Sequence, residues 1–119
     1  MEKHHYYTAN QCMRCVNTNL FVYSVYESIV LDNITVAGLT NFGLEIKNNS
    51  AAGNVIDVSI YASPNGVDYY PLESHFFDQN IGPGEIDHCD FVVVTGFLRV
   101  SVKTDADINI DIYLHGNLT

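Results

Sequence analysis

The sequence predicts an all-β protein: an antiparallel β-sandwich of seven to nine strands, with jelly-roll or other Greek-key topology. Two observations predict this class. Apolar and polar residues alternate with a period of two along several short segments, which is typical of strands with one face on a core and one in water. Turn residues separate these segments at short intervals, and no segment shows convincing helical periodicity. A chain of 119 residues is long enough for one domain with one core.

Each strand is predicted from its own pattern. The clearest alternation covers residues 42–47, 56–61, 98–103 and 108–115. Two longer runs rich in apolar and β-branched residues, 20–31 and 86–94, are expected to be strands that bend or bulge. Asn65-Gly66 predicts a hairpin with a type I′ turn, because both central residues of that turn need a positive φ.

The N-terminal region differs in composition from the rest of the chain. Residues 1–18 are mostly polar, so we expect a connector arm over 1–18 and a sandwich domain over 19–119. A polar terminus of this kind is either a disordered tail or an arm that orders on a neighbouring subunit. About fifteen extended residues reach roughly 50 Å, more than the width of a small sandwich, so such an arm could contact a neighbour.

Composition excludes several classes of partner. Acidic residues outnumber basic ones by 14 to 5, and the net charge is −9. Without a cluster of Lys and Arg to neutralise phosphates, we expect no binding to nucleic acid. No segment approaches the ~20 apolar residues of a membrane span, and the N-terminus lacks the apolar region of a signal peptide. We therefore expect synthesis in the cytosol, with any disulfides forming later, after lysis or in a specialised compartment.

The cysteines form the most informative pattern. Cys12 and Cys15 make a Cys-x-x-Cys pair in the arm, and Cys89 lies in the body. Because three is an odd number, full oxidation requires at least one cysteine to pair with another chain or to stay free. Two thiols on an arm and one on the folded body would suit covalent linkage of neighbouring subunits.

Cys89 has two possible orientations. If it shares the core face of Phe91 and Val93, it is a buried and inert thiol. If the strand slips register at a bulge near Asp90, Cys89 faces outward and can cross-link. We expect the outward orientation, because the arm supplies partners.

A Cys-x-x-Cys pair is also typical of two other chemistries. A thioredoxin-like redox pair needs a helix N-terminus in a βαβ unit, and the sequence contains no such unit. A zinc site needs four ligands, so the arm pair would have to recruit Cys89 and a histidine from among His4, His5 and His88. Neither a second Cys-x-x-Cys nor a spaced histidine pair is present. We expect no metal and no cofactor.

Catalytic motifs are missing from the sequence. It contains no Gly-x-Ser-x-Gly, no His-Glu-x-x-His and no phosphate-binding loop, so we expect no enzymatic activity and assign no catalytic residues. Tyr61, Tyr69 and Tyr70 flank the Asn-Gly hairpin. They form either an aromatic platform for a sugar ligand or cross-strand pairs that stabilise the hairpin, and the second arrangement is the commoner.

An arm carrying Cys12 and Cys15, Cys89 in a late strand, an all-β body and the absence of a signal peptide together resemble the endospore appendage (Ena) pilins of spore-forming Firmicutes. The resemblance implies jelly-roll subunits that stack into a fibre by β-augmentation. It also implies disulfides from arm cysteines to a strand cysteine of a preceding subunit, here from Cys12 or Cys15 to Cys89. The chain departs from that pattern, since two arm cysteines face one strand acceptor. Either one of the two arm cysteines forms no disulfide, or the two partly pair with each other or across chains.

These observations predict a self-assembling structural subunit, a pilin, of a homopolymeric fibre outside the cell or on the spore surface. Its partners would be copies of itself, with a spore-coat anchor or a tip adhesin as further candidates. The alternative is a monomeric or ring-forming ligand- or carbohydrate-binding module of a coat or phage-tail-like assembly. That alternative draws on residues 63–70, which look like a hairpin of small β-sandwich and phage-tail-like domains.

Overall fold

The computed structural model describes residues 14–23, 27–36, 38–39, 41–73, 80–94 and 96–117. These residues form eight strands: β1 (Arg14–Val22), β2 (Ser28–Thr35), β3 (Asn41–Asn48), β4 (Val55–Ser63), β5 (Tyr70–Glu73), β6 (Ile86–Val92), β7 (Phe97–Thr104) and β8 (Ile108–Asn117). The described residues include no helix with the length and hydropathy needed to span a membrane. The all-β prediction is confirmed.

The strands pack as two antiparallel four-stranded sheets. Sheet 1 has the order β1-β8-β3-β6, and sheet 2 has the order β2-β7-β4-β5. Among the described strands, only β4 and β5 are consecutive in the chain and paired in one sheet; every other connection crosses between the sheets. This pattern of two Greek keys is that of a jelly roll. The topology that the sequence left open is therefore the jelly roll.

The core lies between the sheets and is made by the alternation that the sequence displays. The even-numbered residues of β8 point inward, and Ile108, Ile110, Ile112 and Leu114 are all fully buried. They pack with the inward residues of β3 and with those of sheet 2. Full burial of one such side chain contributes about 1.5–3 kcal/mol, so this row is a main source of stability.

Two local predictions differ from the structure. The run 20–31 is divided between β1 and β2, which belong to different sheets. The turn after β4 is present, but Asn65 does not have the positive φ of a type I′ turn. Instead, the Asn65 side chain accepts hydrogen bonds from the backbone N–H groups of Val67 and Asp68. The Ser63 hydroxyl accepts hydrogen bonds from those of Asn65 and Gly66. These side-chain caps stabilise a wider loop.

The boundary between arm and sandwich also differs. β1 begins at Arg14, which pairs with Gly116 of β8, so residues 14–18 of the predicted arm are part of sheet 1. Cys12 and the rest of residues 1–13 lie outside the described residues.

Candidate assembly interface

The two sheets differ in the regularity of their edge strands. In sheet 2, the register of β2 against β7 shifts twice, Asn33 has a φ of 50°, and β5 contains Pro71. Bulges and prolines protect an edge against pairing with another strand. In sheet 1, β1 pairs with β8 in unbroken register, and so does β6 with β3. Sheet 1 therefore has two long, regular edges.

The described cysteines lie on these two regular edges. Cys15 is on β1, opposite His115 of β8, and Cys89 is on β6, opposite Leu44 of β3. Since β1 and β6 are the outer strands of sheet 1, the strand order places the two cysteines at opposite edges of the molecule. Sequence spacing alone could not reveal this placement, because it depends on long-range pairing.

Cys15 is exposed on the outer face of sheet 1, the face directed away from the core. It is disulfide-bonded, so its sulfur accepts rather than donates in the 3.5 Å contact with the Tyr113 hydroxyl. The Cys15 sulfur therefore lies at the surface of the molecule.

Cys89 is a free thiol that points into the core, with 8% of its surface exposed. The expected outward orientation is wrong. The pairing of β6 with β3 runs without a bulge through Asp90, so Cys89 shares the core face with Phe91. Burial, and then the nearby charges of Asp90 and Asp87, raise the pKa of this thiol to about 12. At neutral pH the side chain is therefore almost entirely the unreactive thiol.

A notch on the outer face of sheet 1 buries His115. Gly43 lies beside it on β3, and a Cβ at that position would overlap the Cε1 and Nε2 atoms of the His115 ring. Burial lowers the pKa of His115, partly opposed by the carboxylate of Asp90. The open cavity at this notch has a volume of about 370 Å³, and it reaches Val92 at the end of β6. Sequence reasoning missed His115, because it has the same outward parity as Tyr113, and that parity predicts an exposed residue.

Among the residues that the structure describes, no group of three or more His, Cys, Asp or Glu side chains could hold a metal ion. The residues that a zinc site would need, Cys15, His88 and Cys89, are divided between two edges and two faces of sheet 1, and Cys12, His4 and His5 lie outside the described residues.

Two of the three candidate platform tyrosines make side-chain contacts within the molecule. Tyr61 donates its hydroxyl hydrogen to Glu27, at 2.9 Å. The guanidinium of Arg99 lies 3.9 Å from the centre of the Tyr69 ring, and the Tyr69 hydroxyl is bonded to Asn33. Tyr70 is exposed. These contacts favour a structural role for two of the tyrosines, and a sugar-binding role stays a prediction.

The fold and edges define a jelly-roll protein with two regular edges on one sheet. The chain is similar to a solved structure from Bacillus endospore appendages, described as a novel family of disulfide-linked pili: 14% sequence identity, 88% of this chain and 89% of that chain covered, TM-score 0.45. It is also similar to a chain in the structure of infectious bursal disease virus Gx strain, with 12% identity, 88% and 31% coverage, and a TM-score of 0.36. No family model and no curated protein matches the chain. At these identities the similarity concerns the fold alone.

Proposed function

We propose that this chain is a self-assembling structural subunit, a pilin, of an extracellular or spore-surface fibre. The observation that carries the proposal is the position of Cys15 and Cys89 on opposite edge strands of one sheet. A molecule with different joining groups at two opposite edges associates head to tail, and such contacts form a filament when they do not close into a ring.

The side chains on the two edges support the proposal. The outward row of β6 includes Ile86 and Val92, and both are exposed. Phe21 is exposed near the end of β1, where its ring stacks on that of Tyr23. Apolar side chains on an edge are suited to pairing with another chain, and on β6 they lie beside the charges of Asp87 and Asp90.

In the proposed fibre, a disulfide joins Cys12 or Cys15 of one subunit to Cys89 of another. Cys15 is already oxidised and Cys89 is a thiol, so exchange can form the link without an external oxidant. The deprotonated sulfur of Cys89 attacks the existing disulfide, a new S–S bond forms, and the displaced sulfur leaves as a thiolate. Because Cys89 is buried, this step requires contact with a docked neighbour or local opening of β6.

A non-reducing gel tests the proposal. Wild-type protein is compared with the Cys12→Ser/Cys15→Ser and Cys89→Ser variants, each with and without reductant, and the same samples are imaged by electron microscopy. We expect fibres and a ladder of high-mass bands from the wild type, with the ladder lost on reduction and missing from both variants. Monomer in every lane, with no fibres in the images, would contradict the proposal and favour a monomeric binding module.

A further inference from the structure

We infer that Tyr113 directs thiol–disulfide exchange at the disulfide of Cys15: its hydroxyl stabilises the Cys15 sulfur as the leaving thiolate, so that an incoming thiol bonds to the partner sulfur. The inference rests on the proposed function in one respect, because in the fibre the incoming thiol is that of Cys89. The exchange chemistry itself belongs to the single chain, and a small thiol can serve as the attacking group.

The Tyr113 hydroxyl lies beside the sulfur of Cys15 on the outer face of sheet 1. In the β1–β8 pairing Cys15 is directly opposite His115, so Tyr113, two residues before His115, is its diagonal neighbour. A diagonal neighbour is within reach of an aromatic side chain. The hydroxyl oxygen is 3.5 Å from the Cys15 Sγ. Because Cys15 is exposed, its disulfide is open to an attacking thiol.

His115 holds the Tyr113 ring in this position. The imidazole of His115 lies over Gly43, where a Cβ would overlap it, so the ring is directed toward β3. In sheet 1, β3 and β1 flank β8 on opposite sides. The Tyr113 ring packs on the imidazole with ring centres 5.3 Å apart, at an angle of 38°. The cross-strand neighbours of Cys15 thus have different roles: one is packed toward β3, and the other contacts the sulfur.

The Tyr113 hydroxyl keeps its proton at neutral pH. Burial, and then the carboxylate of Glu45 directly opposite on β3, raise the pKa of this hydroxyl. A protonated hydroxyl can donate a hydrogen bond to a sulfur anion. Hydrogen bonds to an ionised acceptor are about twice as strong as those to a neutral one. The contact therefore strengthens as negative charge develops on the Cys15 sulfur, and it favours the transition state in which that sulfur leaves.

The exchange can take two courses. In one, a thiolate attacks the partner sulfur, a new S–S bond forms there, and the electron pair of the old S–S bond leaves with the Cys15 sulfur. In the other, the thiolate attacks Cys15 and the partner sulfur leaves. The better stabilised thiolate leaves faster, so Tyr113 favours the first course. In the proposed fibre, Cys12 is then the arm cysteine joined to Cys89, and Cys15 ends as a free thiol.

The test maps the course of exchange in Cys89→Ser protein, whose remaining cysteines are Cys12 and Cys15. Oxidised protein is treated briefly with glutathione at pH 8, quenched with N-ethylmaleimide and digested. Mass spectrometry then identifies which cysteine carries glutathione and which carries maleimide. Tyr113→Phe removes the hydroxyl and keeps the ring. The matched control, Tyr61→Phe, removes a hydrogen-bonded hydroxyl from β4 of sheet 2. Circular dichroism verifies that each variant is folded.

We expect at least about five times more maleimide on Cys15 than on Cys12, both in the Cys89→Ser protein and with Tyr61→Phe added. Adding Tyr113→Phe instead should lower this ratio at least about threefold, because the hydrogen bond to the charged sulfur is lost. A ratio that Tyr113→Phe leaves unchanged, or maleimide mainly on Cys12, would overturn the inference.

A second measurement follows the Cys15 thiol alone, in Cys12→Ser/Cys89→Ser protein. We expect Tyr113→Phe to slow its alkylation by iodoacetamide at pH 7 at least about twofold, because only the thiolate reacts. In guanidinium the two proteins should react at equal rates, and equal rates in the folded proteins would overturn the inference.

Failure of the proposed function gives a different result from failure of this inference. Wild-type fibres whose peptide map joins Cys15 to Cys89 would overturn the role of Tyr113 and leave the proposed function standing. Full chain that forms no fibres, but still gives maleimide mainly on Cys15 through Tyr113, would overturn the proposed function and support the role of Tyr113.

Discussion

Cys89 and His115 are both buried, but on opposite faces of sheet 1. Burial disfavours the charged form of a side chain, so it raises the pKa of the Cys89 thiol and lowers the pKa of the His115 imidazole. Both groups are therefore held in the neutral state near pH 7. For Cys89, this means that the thiol resists oxidation in the folded chain.

The reactivity of Cys89 follows from its pKa of about 12. In the Cys12→Ser/Cys15→Ser variant, we expect the rate of alkylation by iodoacetamide to rise about tenfold per pH unit from pH 7 to 10, because only the thiolate reacts. The same protein in guanidinium should level off near the ordinary thiol pKa of about 8.5. A native rate that levels off below pH 9.5 would contradict the burial of this thiol.

Gly43 provides the space that His115 occupies. We expect Gly43→Ala to lower the free energy of unfolding by about 1–3 kcal/mol, because the new methyl group overlaps the imidazole ring. Urea unfolding measures the change, and Gly96→Ala is the control, since its Cβ would make only ordinary contacts. Adding His115→Ala should recover part of the loss, and strictly additive effects of the two substitutions would count against the overlap.

The strands differ in how well they resist pairing with a second chain. The two edges of sheet 2 carry register shifts and a proline, whereas those of sheet 1 are regular. Among the described strands, none pairs with the outer edge of β1 or of β6, and an unpaired edge is a site of aggregation. In the proposed fibre, this asymmetry is the feature of the strands that directs assembly to sheet 1.

A charge on β6 should block assembly. Val92 is 61% exposed at the end of this strand, and Val67 is 77% exposed in the loop after β4. We expect Val92→Lys to reduce fibre formation at least about tenfold, because a lysine on an edge strand opposes strand addition. Val67→Lys, which makes the same change of charge, should leave fibre formation unchanged. Both variants should unfold at the wild-type urea concentration.

Equal fibre yields from the two variants, measured by sedimentation and microscopy, would exclude β6 as an assembly edge.

The whole chain carries a net charge of −9 on a body of 38 × 36 × 22 Å. Neighbouring subunits in a fibre would therefore repel one another over their full surfaces. The Debye length is about 30 Å at 0.01 M salt and about 8 Å at 0.15 M, so salt restricts this repulsion to the contacts themselves. In the proposed fibre, association is thus balanced between attraction at the edges and long-range repulsion between charges.

This balance predicts a dependence of assembly on salt. We expect the initial rate of fibre growth, followed by light scattering, to increase when NaCl is raised from 0.01 to 0.15 M. The increase should be smaller from 0.15 to 0.5 M, because most of the repulsion is already screened. A rate that falls with added salt would indicate that attraction between charges holds the subunits together.

Short-range patterns in the sequence by themselves determined the all-β class. The alternation along 108–115 leaves only one face of a strand to bury, and that face is the one found in the core. The cysteine count also shows, without a structure, that three thiols cannot all pair within one chain.

Only the tertiary structure decided the jelly-roll order, the break within 20–31 and the inward direction of Cys89. The segment 86–94 has apolar residues on both faces, so its local pattern cannot choose between them. Pairing with β3, which places Leu44 opposite Cys89, makes that choice. His115 is buried for a similar reason, because Gly43 of a distant segment lies beside it. Such contacts join residues far apart in the chain, and no local periodicity encodes them.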